Sequence, residues 1–457
     1  MTRISVDDLS RVEGHGRITV EVGPTGDANM IELNIFEGPR FFEALVRKRH
    51  YSEVPSVVSR ICAICSVGHR IASIHGIESA LDLHVPSRVR LLRELLVHGM
   101  FIESHILHLY FLALPDFLGA SGALLLVPSH PDAVYAALRL KKLGNAIQEV
   151  VGGRAIHPEN PVVGGFGKAP GPEELARLRD ELVGSLPAFV DTTRLFMDLD
   201  YPELDGGENV FYALEPAEQG FGYLGHMLVG SDGTRIPADL YREVFTETTV
   251  PHSTAKHSFA RGQSYMVGAL ARLNLFGGRL AGRPGELFRE AAGRTAGFRL
   301  PSHNPLHNNP AQAIEAVYSA ERAIDIIKEL LGGDGKDVSC DPGPRASLQA
   351  DLEPSRQDNP QDGSGSREAR GVGAIEAPRG TLFHDYTLDG EGKVIRANVV
   401  TPTAQNLANI ERFIRHQVSR LHADGKENLV RSLEVLVRAY DPCISCSTHL
   451  VELKPYS

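Results

Sequence analysis

The chain opens on an alternation of apolar and polar residues. GRITVEV, the turn-rich GPTGD and then MIELNIF predict a β-hairpin within the first forty residues. After RICAICSVGHR the period changes. IASIHGIESALDLH and PSRVRLLRELLVHGMFIESHILHLYFLAL place apolar residues at three- and four-residue steps, the spacing of a buried helix face. Pro86 and Ser87 suit the start of the second helix, and Pro115 suits its end. Residues 132–150, 171–198 and 310–331 repeat the amphipathic pattern, and several such helices predict a bundle core. Between about 200 and 300 the pattern is mixed, with β-like pieces such as NVFYAL and a GSDGT turn. The run 332–370 is rich in Gly, Pro, Ser and Asp, and predicts a flexible surface insertion. AIEAPRGTLFHDYTLDGEGKVIRANVVTP then reads as strand–turn–strand around DGEGK. Two helices follow, near 404–422 and 426–440, ending at Asp441–Pro442. The expected class is α+β, mostly α, with a central long-helix bundle and small peripheral sheets. Its regions are 1–61, 62–200, 201–331, the insertion 332–370, 371–449 and a short tail 450–457.

Composition narrows the function. The 457 residues are 42% hydrophobic and 23% charged, as in ordinary soluble proteins, and the net charge of −10 argues against a general nucleic-acid binder. The most apolar stretch, HLYFLALPDFLGASGALLLVP, is interrupted by Pro115, Asp116 and glycines, so it reads as buried helix ends and no membrane span is expected. The N-terminus shows neither an apolar export core nor a twin arginine, which predicts a cytoplasmic protein.

Of five cysteines, four form two CxxC pairs: Cys62 and Cys65 in RICAIC, and Cys443 and Cys446 in DPCISC. The pairs are separated by 381 positions. A structural zinc staple normally draws both pairs from within some tens of residues. Paired disulfides need an oxidising compartment, and a thioredoxin-like motif needs one pair beside a βαβ unit. A soft, redox-active metal in a buried four-thiolate site is the remaining reading. Cys340, inside the predicted insertion, reads as an incidental thiol.

The residues around the pairs carry a resemblance. RICAICSVGH and DPCISCSTH resemble the two nickel-binding motifs of the large subunit of NiFe hydrogenases. RVEGHGR at 11–17, EGPRFFE at 37–43, ESHILHLYFLALPDF at 103–117, GGRAIHPENPVVGGFGK at 152–168, EAPRGTLFH at 376–384 and VVTPTAQN at 399–406 are similar to further family segments, in family order. The wording is most similar to the NADP-linked bidirectional branch, the sulfhydrogenases. By this resemblance the fold is that of the large subunit and the reaction is reversible heterolytic cleavage of H2. Two other classes stay in view: a scaffold like the quinone-site subunit of respiratory complex I, and a zinc-stapled interaction protein.

The resemblance implies roles. Cys62, Cys65, Cys443 and Cys446 would bind nickel, and Cys65 and Cys446 would bridge to an iron carrying CO and CN ligands. Arg379 and Thr403 would hydrogen-bond the cyanides, with Arg379 over the open metal edge and Asp441 orienting it. The Cys446 thiolate would accept the first proton and Glu13 would relay it outward. Glu43, His449 and a backbone carbonyl near Val399 would hold a magnesium or iron ion. His69 is expected to hydrogen-bond the Cys65 sulfur, and His105, His108 and His157 to be packing or subunit-contact residues. Ser104 stands where the membrane-bound branch has an Asp. The resemblance also implies an iron–sulfur small subunit, flavin- and NAD(P)-binding diaphorase subunits beyond it, and a maturation endopeptidase that removes LVELKPYS. The chain itself shows no GxGxxG fingerprint and no spare cysteine set for a cluster.

Overall fold

The computed structural model describes residues 2–24, 26–38, 40–204, 206–217, 219–333, 368–421 and 426–448. Most of the predicted insertion, Cys340, His449 and the 450–457 tail lie outside the described residues.

Four long helices make the centre: Ser87–Leu107, Pro131–Gly152, Pro172–Met197 and Asn308–Gly332. The first packs on the second and the fourth, and the fourth packs on the third. Each begins and ends close to where the apolar period predicts. The Ser87 helix runs on past its expected end. Residues His108–Ala113 widen to π geometry and Leu114–Phe117 resume the α-helix for a single turn that holds Pro115. The change of hydrogen-bond register accommodates the N–H that Pro115 lacks, so the proline lies in the last turn and the helix ends two residues after it. The span Ser87–Phe117 is long and apolar enough to cross a membrane, but 83% of its most apolar window is buried inside the protein. It is a core helix.

The small sheets lie around this bundle. At the N-terminus, Gly16–Val22 and Ala28–Ile35 form the predicted hairpin, and Thr2–Val6 adds a third antiparallel strand. The region around 200–300 yields short strands, Tyr212–Leu214, Met227–Gly230 and Arg235–Pro237, with the GSDGT turn between the last two.

The sheet that matters most for the site is Ala369–Ala377, Gly380–Leu388 and Val394–Val400. The DGEGK turn joins its last two strands as expected. The first two meet in a turn of only two residues, Pro378 and Arg379, because Ala377 pairs directly with Gly380. Gly380 has φ 137° there, and a Cβ would fall 2.3 Å from Val267 Cγ2. Only glycine closes this turn.

The helix Ser66–Ala80 follows the first cysteine pair and lies across the same sheet. Its approach is very close: a Cβ on Gly373 would sit 1.9 Å from the Ala72 carbonyl oxygen. That contact brings the first cysteine pair beside the tight turn carrying Arg379. The chain then runs through the helices Pro402–Leu421 and Lys426–Ala439 to a single turn, Ile444–Ser447, which Cys443 caps and which contains Cys446.

Candidate metal centre

The fold brings the two ends of the chain together. The Sγ atoms of Cys62 and Cys443 are 3.3 Å apart, those of Cys65 and Cys446 3.2 Å, and those of Cys443 and Cys446 2.8 Å. All four sulfurs lie within 4.8 Å of one another and all are buried. Four thiolates this close in a dry interior require a bound cation for charge balance, and soft donors of this kind select a soft or borderline metal. Burial and the neighbouring sulfurs push the Cys446 thiol well up, a direction that metal coordination reverses.

A small cavity adjoins the sulfurs on the side of Cys65, Cys443 and Cys446. Ala377, Leu382 and Pro402 give it an apolar wall, and His69, Arg379 and Thr403 give it polar atoms. Arg379 is fixed by two contacts to one residue: Nε donates to the Asp441 carbonyl at 2.6 Å and Nη2 to Asp441 Oδ1 at 2.9 Å. Burial works against its charge, but Asp441 and the thiolates outweigh that and hold the guanidinium firmly protonated. Its Nη1 is buried and has no hydrogen-bond partner among the described residues. Thr403 Oγ1 accepts from the Cys443 amide at 2.9 Å, which leaves the hydroxyl proton to donate. These groups fit a second metal with small anionic ligands beside the sulfurs.

Glu13 reaches the site through a parallel bridge with Cys443. Its Oε2 accepts from Cys443 Sγ at 3.2 Å and from the Ser445 amide at 3.0 Å. The Ser445 hydroxyl donates to Oε1 at 2.5 Å. Burial, reinforced by the Cys443 sulfur and opposed by Ser445, raises the Glu13 carboxyl to about 8. The sequence reading paired Glu13 with proton acceptance at Cys446. The structure sets Glu13 against Cys443, because the bridge aligns those two residues.

Other expected residues fall as follows. Glu43 is buried and Oε1 accepts from the Val399 amide at 3.1 Å, so that pair meets across 356 positions. Thr448, the neighbour of His449, accepts from the Arg40 amide at 3.2 Å, three residues from Glu43. His69 lines the cavity, with Nδ1 3.0 Å from His384 Nε2. His105 contacts Glu315 at 2.9 Å, His108 contacts the Arg438 carbonyl at 2.8 Å, and His157 lies 3.0 Å from the Ser59 carbonyl. Ser104 is buried, and its hydroxyl has no partner among the described residues.

Sequence reasoning missed the residues behind these. Arg40 Nη2 donates to the Ile61 and Ser445 carbonyls and so ties one cysteine segment to the other. Arg272 is fully buried between Glu315 and Glu376 and donates to the Ala377 and Pro378 carbonyls, which fixes the turn that presents Arg379. Gln312 Nε2 donates to Asp441 Oδ2 at 3.1 Å. The one legible signal was a lone arginine in the apolar run ALARLNLF.

The model of the nickel-dependent hydrogenase family matches residues 40–134 and 346–449. The chain is 38% identical over 451 residues to the alpha subunit of sulfhydrogenase 1 of Pyrococcus furiosus, covering 98% of each. The chain belongs to the nickel-dependent hydrogenases. It is also 38% identical over 458 residues to the alpha subunit of sulfhydrogenase 2 of that organism, covering 98% of this chain and 100% of the other. Its structure matches an NAD+-reducing NiFe hydrogenase, solved in the H2-reduced state, with TM-score 0.80 and 25% identity over 98% and 100% of the two chains. This hydrogenase chain is the large, catalytic subunit, an oxidoreductase acting on H2, and its buried thiolates are those of a nickel–iron site. The quinone-site scaffold, which lacks the four cysteines, and the zinc staple are not favoured.

Proposed function

We propose that this subunit works in a soluble NAD(P)-linked complex, cleaving H2 reversibly and passing its electrons to an iron–sulfur small subunit and then to diaphorase subunits. The observation that carries the reading is the cavity beside the four sulfurs, with a charged, incompletely bonded Arg379 on its wall. Cys62, Cys65, Cys443 and Cys446 would hold nickel together with iron, and these metals would supply the redox chemistry that no side chain here provides.

The chain's own residues do the remainder. Asp441 holds Arg379 in one orientation, so its free Nη1 and the Thr403 hydroxyl are poised for anionic ligands on the iron. The apolar wall of Ala377, Leu382 and Pro402 excludes water. Glu13 Oε2 lies 3.2 Å from Cys443 Sγ, and Glu13, its carboxyl raised to about 8, would take up a proton released at the sulfurs and pass it outward. Glu43 and the backbone at Val399, with His449 outside the described residues, would hold a magnesium or iron ion.

Electrons have to leave on another polypeptide, because Cys340 is the only cysteine outside the two pairs. Phe36, Phe41, Leu45 and Ile156 are exposed, and they flank the cysteine segments through Arg40 and His157. That apolar rim suits a docked small subunit. The NAD(P) linkage is drawn from the NAD+-reducing and sulfhydrogenase relatives. The tail LVELKPYS belongs to a precursor, removed by an endopeptidase once nickel is in place.

The deciding experiment is metal analysis, infrared spectroscopy and intact mass on the active complex. One nickel per chain, bands in the CO and CN region and a chain ending at His449 are expected. Zinc alone in the four-sulfur site would overturn the metal assignment, and a nickel-loaded chain that still ends at Ser457 would overturn the processing step.

A further inference from the structure

A second cluster of metal-ligating side chains lies away from the cysteines. His252 sits between the strands Phe245–Thr248 and His257–Ala260, His257 opens the second strand, and Glu411 projects from the helix Pro402–Leu421. One ligand atom from each comes within 4.8 Å of the others. His252 Nε2 is 2.9 Å from Glu411 Oε1, and His257 Nε2 is 3.4 Å from Glu411 Oε2.

Two explanations compete. A simple ion pair accounts for His252, whose Nε2–H donates to the carboxylate. It accounts less well for His257, which lies at ion-pair distance from the same carboxylate but makes no hydrogen bond to it among the described residues. That ring is 2% exposed, and both of its nitrogens lack a hydrogen-bond partner among the described residues. Its Nε2 nonetheless points to the carboxylate from beyond hydrogen-bond geometry. Buried imidazole nitrogens are normally satisfied, so the shortfall asks for a missing partner. The adjacent Lys256 does not fill that role, since it is engaged by Glu247 at 3.2 Å.

A tetrahedral ion with bonds of about 2.0–2.1 Å separates its ligand atoms by about 3.3 Å, which lies between the two observed separations of 2.9 and 3.4 Å. We propose that His252, His257 and Glu411 form a binding site for a borderline divalent transition-metal ion of the zinc class. Two imidazoles and one carboxylate are a donor set that such ions take, with a water completing the shell. His252 and Glu411 are partly exposed, at 18% and 19%, so water and the ion can enter. The Leu33 amide, which donates to Glu411 Oε1 at 2.9 Å, orients the carboxylate from outside the shell.

The site would be a clip between three segments. Leu33 belongs to the N-terminal sheet, and the loop bearing His252 is tied to the same sheet by Thr254, whose amide and hydroxyl both donate to the Ile35 carbonyl at 2.8 and 2.9 Å. The helix bearing Glu411 carries Thr403 in its first turn. Nothing in this site depends on how the nickel–iron centre is read.

The test is zinc titration of the nickel-loaded complex, wild type against H252A and E411Q. Wild type should bind one zinc per chain beyond its nickel and iron, with Tm rising on the order of 3 °C at saturation. H252A, a partly exposed loop change, and the near-isosteric E411Q should bind that zinc at least ~10-fold more weakly and lose the Tm rise, with nickel content and H2 turnover as in wild type. Equal zinc affinity in wild type and both variants would overturn the site. So would zinc uptake only at the expense of nickel, or an unmoved Tm at millimolar zinc.

Discussion

Cys62 and Cys65 lead into a helix of 15 residues, Ser66–Ala80, whereas Cys443 caps, and Cys446 lies within, a single turn of 4 residues, Ile444–Ser447. The long helix is positioned by burial on nearly every side and by backbone contact with the sheet at Gly373. The single turn is too short to hold itself. Side chains from distant segments hold it instead: Glu13 at the Ser445 amide, Thr403 at the Cys443 amide and Arg40 at the Ser445 carbonyl. The difference teaches where each half of the metal site is vulnerable. The first half depends on packing, and the second on individual polar contacts that also face the chemistry.

The largest expected effect tests the second half. Glu13→Gln keeps a carbonyl oxygen for the Ser445 amide but removes the exchangeable acid beside Cys443. H2 turnover should fall by about 10²–10⁴-fold, with nickel content and the infrared bands of the site preserved. Turnover within twofold of wild type would remove Glu13 from the proton path.

Next comes a substitution on the packing side. Gly373→Ala drives a methyl group into the Ala72 carbonyl, so helix and sheet must separate. Overpacking of this kind costs about 1–3 kcal/mol. Calorimetry should show a lowered Tm for both apo and nickel-loaded protein, since the contact precedes metal binding. An unchanged Tm would mean that the helix is located by something other than this contact.

The smallest effect belongs to Thr403→Val, which is close in shape and leaves the Cys443 amide without its acceptor. The local cost is about 1 kcal/mol, the usual net worth of one hydrogen bond. Nickel should still load, and the CN stretching bands should shift because a donor is gone from the cavity wall. Unshifted bands would show that Thr403 only braces the second cysteine segment.

Much of this was legible from residues alone. The long helices declare themselves by period, and the two CxxC pairs by the spacing that thiolate ligation needs. Pro115 marked the helix end to within two residues, but not the π segment before it that accommodates its missing N–H. Arg379 was named with Asp441 as its partner, but without the turn that presents it. Its placement needs a two-residue turn and Arg272 reaching that turn from about a hundred positions away. His252, His257 and Glu411 carried no motif at all, because 159 positions separate the first from the last.

By itself, the sequence determined the donor atoms and the helical core: thiolate chemistry and apolar periodicity are local properties, written within a few residues. Tertiary structure alone decided which sulfur faces Glu13, what braces the turn that presents Arg379 and which histidines share a carboxylate. Those are distances between segments far apart in the chain, set by the close contact of helix and sheet at Gly373 and by the polar atoms that hold the final turn.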